Sequence, residues 1–159
     1  MRLRNRSVCL MLACFSLGCA TRPQEAMSQE RMEELVANAS NEAEGRPGAM
    51  QFLFDGVQML CLSDVEHDRM RIIAPITTRE GLAAPYLDLM LLANYHTSLD
   101  ARYAVSDGVV YAAFLHPLST LTESDLASAM RQVASLAQTF GSTYSSGELS
   151  FGVSEEREL

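Results

Sequence analysis

The sequence predicts an α+β domain in the order α-β-β-β-α-β-β-α, with a five-stranded antiparallel sheet and helices packed on one face. Three observations lead there. Asp-Gly occurs twice, at Asp55-Gly56 and Asp107-Gly108, each time between runs whose apolar residues alternate. This dipeptide suits a two-residue type I′ hairpin, because both central positions need φ > 0. Apolar residues spaced three and four apart follow Ser28 and Thr122, the pattern of capped amphipathic helices.

The elements follow in chain order. Ser28 is a plausible N-cap, and Met32, Leu35, Val36 and Ala39 fall at helical spacing, so a helix is expected over 29–41. Gly45, Pro47 and Gly48 stop it, leaving 41–48 as a loop. The first hairpin joins 50–55 to 57–63, with Phe54 opposite Val57, Phe52 opposite Met59 and Met50 opposite Cys61. Directly opposed residues share a face, so these six form a core face. A third strand is expected over 69–76, where Met70, Ile72, Ala74 and Ile76 alternate with Arg69, Arg71 and Ile73. Pro75 donates no ladder hydrogen bond and suits a strand end or an edge.

Thr77-x-x-Glu80 matches a capping box. Pro85 moves the expected helix downstream of it, to about 84–95. The second hairpin places Val105 opposite Val110, Tyr103 opposite Ala112 and Ala101 opposite Phe114. Thr122-x-x-Asp125 then caps a helix with the stripe Leu126, Met130, Val133, Leu136 or Ala137, and Phe140, ended by Gly141. The folded domain is expected over 28–144, between a polar tether at 19–27 and a flexible acidic tail at 145–159.

Size and composition bound the function. A chain of 159 residues that is 48% hydrophobic makes one packed domain. All twelve basic residues are arginine, and the net charge is −8. An acidic chain without a basic patch argues against nucleic acid and against electrostatic docking on anionic lipid.

The N-terminus reads as a targeting segment. Residues 1–6 are positively charged, and the uncharged run 7–18 fits a signal-peptide core. At twelve residues it is too short to span a membrane, which takes about 20. Leu17-Gly18-Cys19-Ala20 resembles a bacterial lipoprotein cleavage box, with Cys19 as the first mature residue and the lipid attachment site. Ser16 and Leu17 reverse the usual order of large and small residues, so a cut before Cys14, after Met11-Leu12-Ala13, stays open. A di- or triacylated cysteine is a stable anchor, since two acyl chains already suffice. Similar lipoproteins with a residue other than Asp after the cysteine, here Ala20, are commonly sent to the outer membrane. That places this chain on the periplasmic face of the cell envelope; the alternative is cytoplasmic. Cys61 is then left without an intramolecular disulfide partner.

The run LLANYHTSLDARYAVSDGVVYAAFLHPLSTLTESDLASAMRQVASLA resembles the YbjN-like relatives of type III secretion chaperones. There a helix end leads into a hairpin, then a P-L-x-x-L-T-x-x-x-L segment, here Pro117, Leu118, Leu121, Thr122 and Leu126, and a long helix. The resemblance covers about residues 28–140. It implies a small non-enzymatic binding fold, often dimeric, whose secretion members hold an unfolded segment of a cargo protein. Those members work in the cytosol, whereas this chain carries an export-type leader.

Candidate chemistry is sparse. Glu66, His67 and Asp68 are adjacent on a turn, point in different directions and have no second His or Cys at ligand spacing. His96 follows a helix and His116 precedes a proline, positions that suit capping or packing. Cys61 falls on a core face, as a buried thiol. Asp55 and Asp107 are explained by their turns. The methionines Met32, Met59, Met70 and Met130 fill core faces. No P-loop, GxGxxG or GxSxG is present, and no cofactor is implied.

One surface remains. The side of the sheet away from the helices carries Leu53, Leu60, Val109 and Tyr111 among Gln51, Gln58, Arg102 and Ser106. Leu53, Leu60, Arg102, Val109 and Tyr111 are therefore the candidate partner or dimer face. The expected function is a non-enzymatic, membrane-anchored, protein-binding lipoprotein of chaperone or adaptor type. The alternatives are a cytosolic secretion-type chaperone whose N-terminus is misread, and an enzyme of unknown type.

Overall fold

The computed structural model describes residues 26–147. The leader with Cys19, and the acidic segment 148–159, lie outside the described residues. The chain forms α1 (Gln29–Ala39), β1 (Asn41–Arg46), β2 (Ala49–Phe54), β3 (Val57–Asp64), β4 (Arg69–Thr78), α2 (Ala84–His96), β5 (Arg102–Ser106), β6 (Val109–His116) and α3 (Glu123–Thr139). The strands make one antiparallel sheet in the order β1-β2-β3-β4-β6-β5. The α+β class holds, with six strands rather than five.

The added strand is β1, where the sequence suggested a loop. Its residues Asn-Glu-Ala-Glu-Gly-Arg carry no apolar alternation, because it is an edge strand exposed almost throughout. It is irregular, with a bulge between Asn41 and Glu44 and a positive φ at Glu42. Gly45 allows the pairing: at φ +145°, a Cβ there would lie 2.3 Å from the Ala49 carbonyl oxygen. Bulge, charge and brevity are the usual means of blunting an edge against further strand addition.

The hairpin registers are as expected. Phe54 opposes Val57, Phe52 opposes Met59 and Met50 opposes Cys61 across the first turn; Val105 opposes Val110 and Tyr103 opposes Ala112 across the second. Asp55 and Gly56 take φ 54° and 76°, Asp107 and Gly108 take 49° and 76°, the φ > 0 pair of a type I′ turn.

Pro75 is neither at a strand end nor in an edge strand. β4 is central and continues to Thr78. Proline is accommodated because β3 pairs with β4 only as far as Ile73, and because a bulge separates Pro75 from Thr77 on the β6 side. The Thr77-x-x-Glu80 pattern caps no helix: Thr77 and Thr78 end β4, and α2 starts at Ala84 after an uncapped Ala83, with proline in its first turn.

α1 and α3 cover one face of the sheet. Ser28 caps α1, its Oγ accepting from the Arg31 N–H (3.1 Å). Thr122 and Asp125 form a reciprocal capping box at α3. Beneath the two helices lie Phe52, Met59, Cys61, Met70, Ile72, Val110 and Ala112 from the strands, against Met32, Val36, Leu126, Met130, Val133 and Leu136. Each of the large side chains stabilises the fold by about 1.5–3 kcal/mol. α2 does not join that layer. It packs against β5 at the edge of the sheet, where the Asn94 side chain acts as a strand partner. Its amide donates to the Tyr103 carbonyl (3.1 Å) and accepts from the Tyr103 N–H (2.7 Å).

The ends of the domain reach past the expected limits. Met27, assigned to the tether, is buried in the core. Ser145 and Ser146, assigned to the tail, are fastened: Ser135 Oγ donates to the Ser145 carbonyl (2.8 Å), and the Ser146 N–H donates to the Thr97 carbonyl (3.2 Å).

Candidate protein-binding surfaces

The strand registers set the open face of the sheet. Since α1 and α3 lie over Cys61, Ile72 and Phe114, the opposite side presents the alternate residues. One row across the strands is Gln51, Leu60, Ile73, Ala113 and Arg102. The next is Arg46, Ala49, Leu62, Arg71 and Leu115. Val109 and Tyr111 stand above these rows, opposite Thr78 and Pro75.

The five residues marked from the sequence all belong to this side, but in two groups. Leu53 and Leu60 sit on β2 and β3; Val109, Tyr111 and Arg102 sit on β6 and β5. Ile73 and Ala113 bridge the groups, and Leu62 and Leu115 widen the strip. Leu115 is 54% exposed. Once register is known, the alternation in 57–64, 69–76 and 109–116 assigns all four to this side.

A second apolar surface lies on α2, which is apolar on every side. Met90 and Ala93 are buried, yet Tyr86, Leu89, Leu91, Leu92 and Tyr95 remain exposed, Leu91 at 67% and Tyr95 at 75%. A helix of this kind is normally covered all round. The signal stood in the sequence as Tyr-Leu-Asp-Leu-Met-Leu-Leu, with one charge in seven residues.

Several titratable groups have structural duties. His67 Nδ1 pairs with Asp64 (2.7 Å), both exposed. Asp68 accepts from the Ser119 N–H (2.7 Å) and hydroxyl (2.8 Å), which hold its carboxyl below the usual carboxylate range. A hollow of about 350 Å³ is lined by Asp100, Arg102, His116, Asp125 and Gln132. Its polar groups are engaged in holding elements together. Asp125 caps α3, His116 Nδ1 is 2.8 Å from the Pro117 carbonyl, and Gln132 Oε1 accepts the Asp100 and Ala101 N–H groups (2.8 and 3.0 Å). The Cys61 thiol is buried, 3.8 Å from the Met32 sulfur, and burial pushes its pKa up to about 12, far from a reactive thiolate. Among the described residues, no three His, Cys, Asp or Glu side chains gather where they could hold a metal ion.

Apolar surface is what stands out among the described residues. The architecture has solved counterparts. The structure of the Yersinia pestis type III secretion chaperone SycH in complex with a stable fragment of YscM2 matches with a TM-score of 0.54 at 16% identity, over 71% of this chain and 98% of that one. The fold is secretion-chaperone-like. The ExsC-ExsE complex matches at TM-score 0.48 and 16% identity, over 72% of this chain and 96% of that one. The HopA1-SchA chaperone-effector complex matches at 0.47 and 15%, over 58% of this chain and 74% of that one. No protein-family model and no curated protein matches the chain.

Proposed function

We propose that this protein is a non-enzymatic binding module of chaperone or adaptor type, which holds an apolar segment of a partner protein on the open face of its sheet. The observation that carries the reading is the row of half-buried Leu60, Leu62 and Ile73 with exposed Leu115, edged by arginines on the side of the sheet that α1 and α3 do not cover. Partly exposed apolar residues gathered on one uncovered sheet face are characteristic of an interaction site. The SycH-like fold, seen there with a fragment of another protein, supports the same reading. The open face tests it. Replacing Leu60 and Tyr111 together with Asp leaves the core untouched and is expected to abolish capture of the partner from the cell envelope. Undiminished capture would reject the reading.

The address is part of the proposal. Cys19 is the lipid attachment site, and the domain works on the periplasmic face of the envelope, at the outer membrane. Labelled palmitate is expected to enter the full chain and not its Cys19→Ala variant. An unlabelled, cytosolic product would instead favour a cytosolic chaperone of the secretion type.

A further inference from the structure

The open face is not only apolar. Of the seven arginines among the described residues, Arg46, Arg69, Arg71 and Arg102 stand on this side or at its margin, all exposed. Arg69 donates to the Asp68 carbonyl (2.7 Å), and Arg102 to the Leu99 and Ala101 carbonyls (2.9 and 2.8 Å). Among the described residues, no carboxylate lies within ion-pair distance of any of the four. The carboxylates nearest in register are engaged elsewhere. Glu44 accepts from the Gln51 side chain, and Asp64, opposite Arg69, accepts the His67 N–H (3.0 Å).

Register brings three of these arginines to one end of the face. Arg46, Leu62, Arg71 and Leu115 share a row across the strands, and Arg69 stands two residues along β4 from Arg71. Strands about 4.8 Å apart put Arg46 and Arg71 three steps, roughly 14 Å, from each other, with Arg69 about 7 Å from Arg71. A shallow hollow of about 420 Å³ opens there, lined by Leu62, Asp64, His67, Arg69 and Arg71. A guanidinium presents five N–H donors in a fork that matches a carboxylate, and such charge-assisted pairs are stronger than neutral hydrogen bonds. We infer that the segment bound on this face is acidic as well as apolar. It is an extended stretch of another protein whose residues toward the sheet are apolar over Leu60, Leu62 and Ile73, and carboxylates beside Arg46, Arg69 and Arg71.

This rests on the open face being the binding site and adds the chemistry of what it binds. Charge separates the two apolar surfaces of the molecule. α2 contains Asp88 and no arginine, so the same segment is disfavoured there. Arginines at the rim of an apolar row act on encounter and on choice of partner: they draw in a segment with carboxylates and repel one with lysines.

The probe is a peptide of about eight residues, enough to cross the six strands when extended, carrying a neutral dye. It has leucine at the first alternate positions, glutamate at the later ones and serine between; two controls replace glutamate with glutamine or lysine. Fluorescence anisotropy with the full chain is expected to show the glutamate peptide binding about tenfold tighter than the glutamine peptide at low salt, and the lysine peptide weakest. Added salt should narrow the difference. Arg46→Glu with Arg71→Glu should reverse the order in favour of the lysine peptide while far-ultraviolet circular dichroism stays unchanged, since both side chains are exposed. Leu92→Asp on α2 should change nothing. Five results would overturn the inference: no binding of the glutamate peptide, equal affinity for the glutamate and glutamine peptides, an order that survives the arginine substitutions, a preference lost with Leu92→Asp, or binding of phosphatidylglycerol vesicles in place of the peptide that is lost in the arginine variant. Equal affinity for the three peptides, with partner capture lost in the Leu60/Tyr111 variant, would keep the proposed function and reject this inference. A glutamate preference that reverses in the arginine variant, with partner capture undiminished in the Leu60/Tyr111 variant, would reject the proposed function and leave the acidic preference of the arginine margin standing.

Discussion

Gly108 holds φ +76° at the tip of the second hairpin, and a Cβ there would meet nothing within 4 Å. Any cost of replacing it is therefore backbone strain and not collision. Gly108→Val forces a β-branched residue to positive φ and should cost at least about 1 kcal/mol. A shift of the urea midpoint at unchanged slope would report it; an unchanged midpoint would contradict the type I′ turn. At Asp125, the side-chain and backbone hydrogen bonds of Thr122 hold the carboxyl below its usual range. Asp64 and Asp68 are lowered too, by hydrogen bonds from His67 and Ser119. A depressed carboxylate contributes stability that is present above its unfolded pKa, about 3.9, and is lost as pH falls through the folded value. The melting temperature should therefore fall below about pH 4, and less steeply in Asp125→Asn. Melts between neutral and acid pH check this, and an identical slope in both proteins would count against it.

Among the elements, α2 poses the clearest physical question. Its buried side meets β5, and its other side exposes Leu89, Leu91, Leu92 and Tyr95. If a second copy of the chain covers it, Leu92→Asp with Tyr95→Asp should halve the mass in solution while far-ultraviolet circular dichroism stays unchanged, because both residues are exposed. Light scattering that gives one mass for both proteins would exclude α2 as the contact. The elements also show what was legible in the sequence. Both hairpins, their registers, the Ser28 and Thr122 caps and the bounds of α2 follow from local signals: Asp-Gly, alternation and capping residues. β1 was not legible, because an edge strand with one half-buried residue needs no alternation and its pairing depends on a bulge and on Gly45. Pro75 misled because proline rules describe a fully paired strand, while β4 has only one neighbour at that point. The five candidate residues fall on one side of the sheet, in two groups. The two groups could be joined only once β4 was known to lie between β3 and β6.

For the whole molecule, the layout is asymmetric. One side of the sheet is closed by α1 and α3, the other is open, and α2 stands at the β5 edge with its apolar surface outward. The two apolar surfaces stand on different elements, the open sheet face and α2. The net charge of −8 is spread over the chain as a whole, yet arginines gather around the open face. That arrangement favours an occupant that is both apolar and acidic, and steers it to this side of an otherwise acidic protein. The direct measurement is photo-cross-linking in cells, with a benzophenone amino acid at Leu60 on the open face and, separately, at Leu92 on α2. The proposed function predicts an adduct to a different protein from Leu60; an adduct to a second copy of this chain from Leu92 would identify α2 as a self-contact. An absence of any intermolecular adduct from Leu60, or the same adducts from Leu60 as from the exposed Glu30, would contradict a partner site on the open sheet.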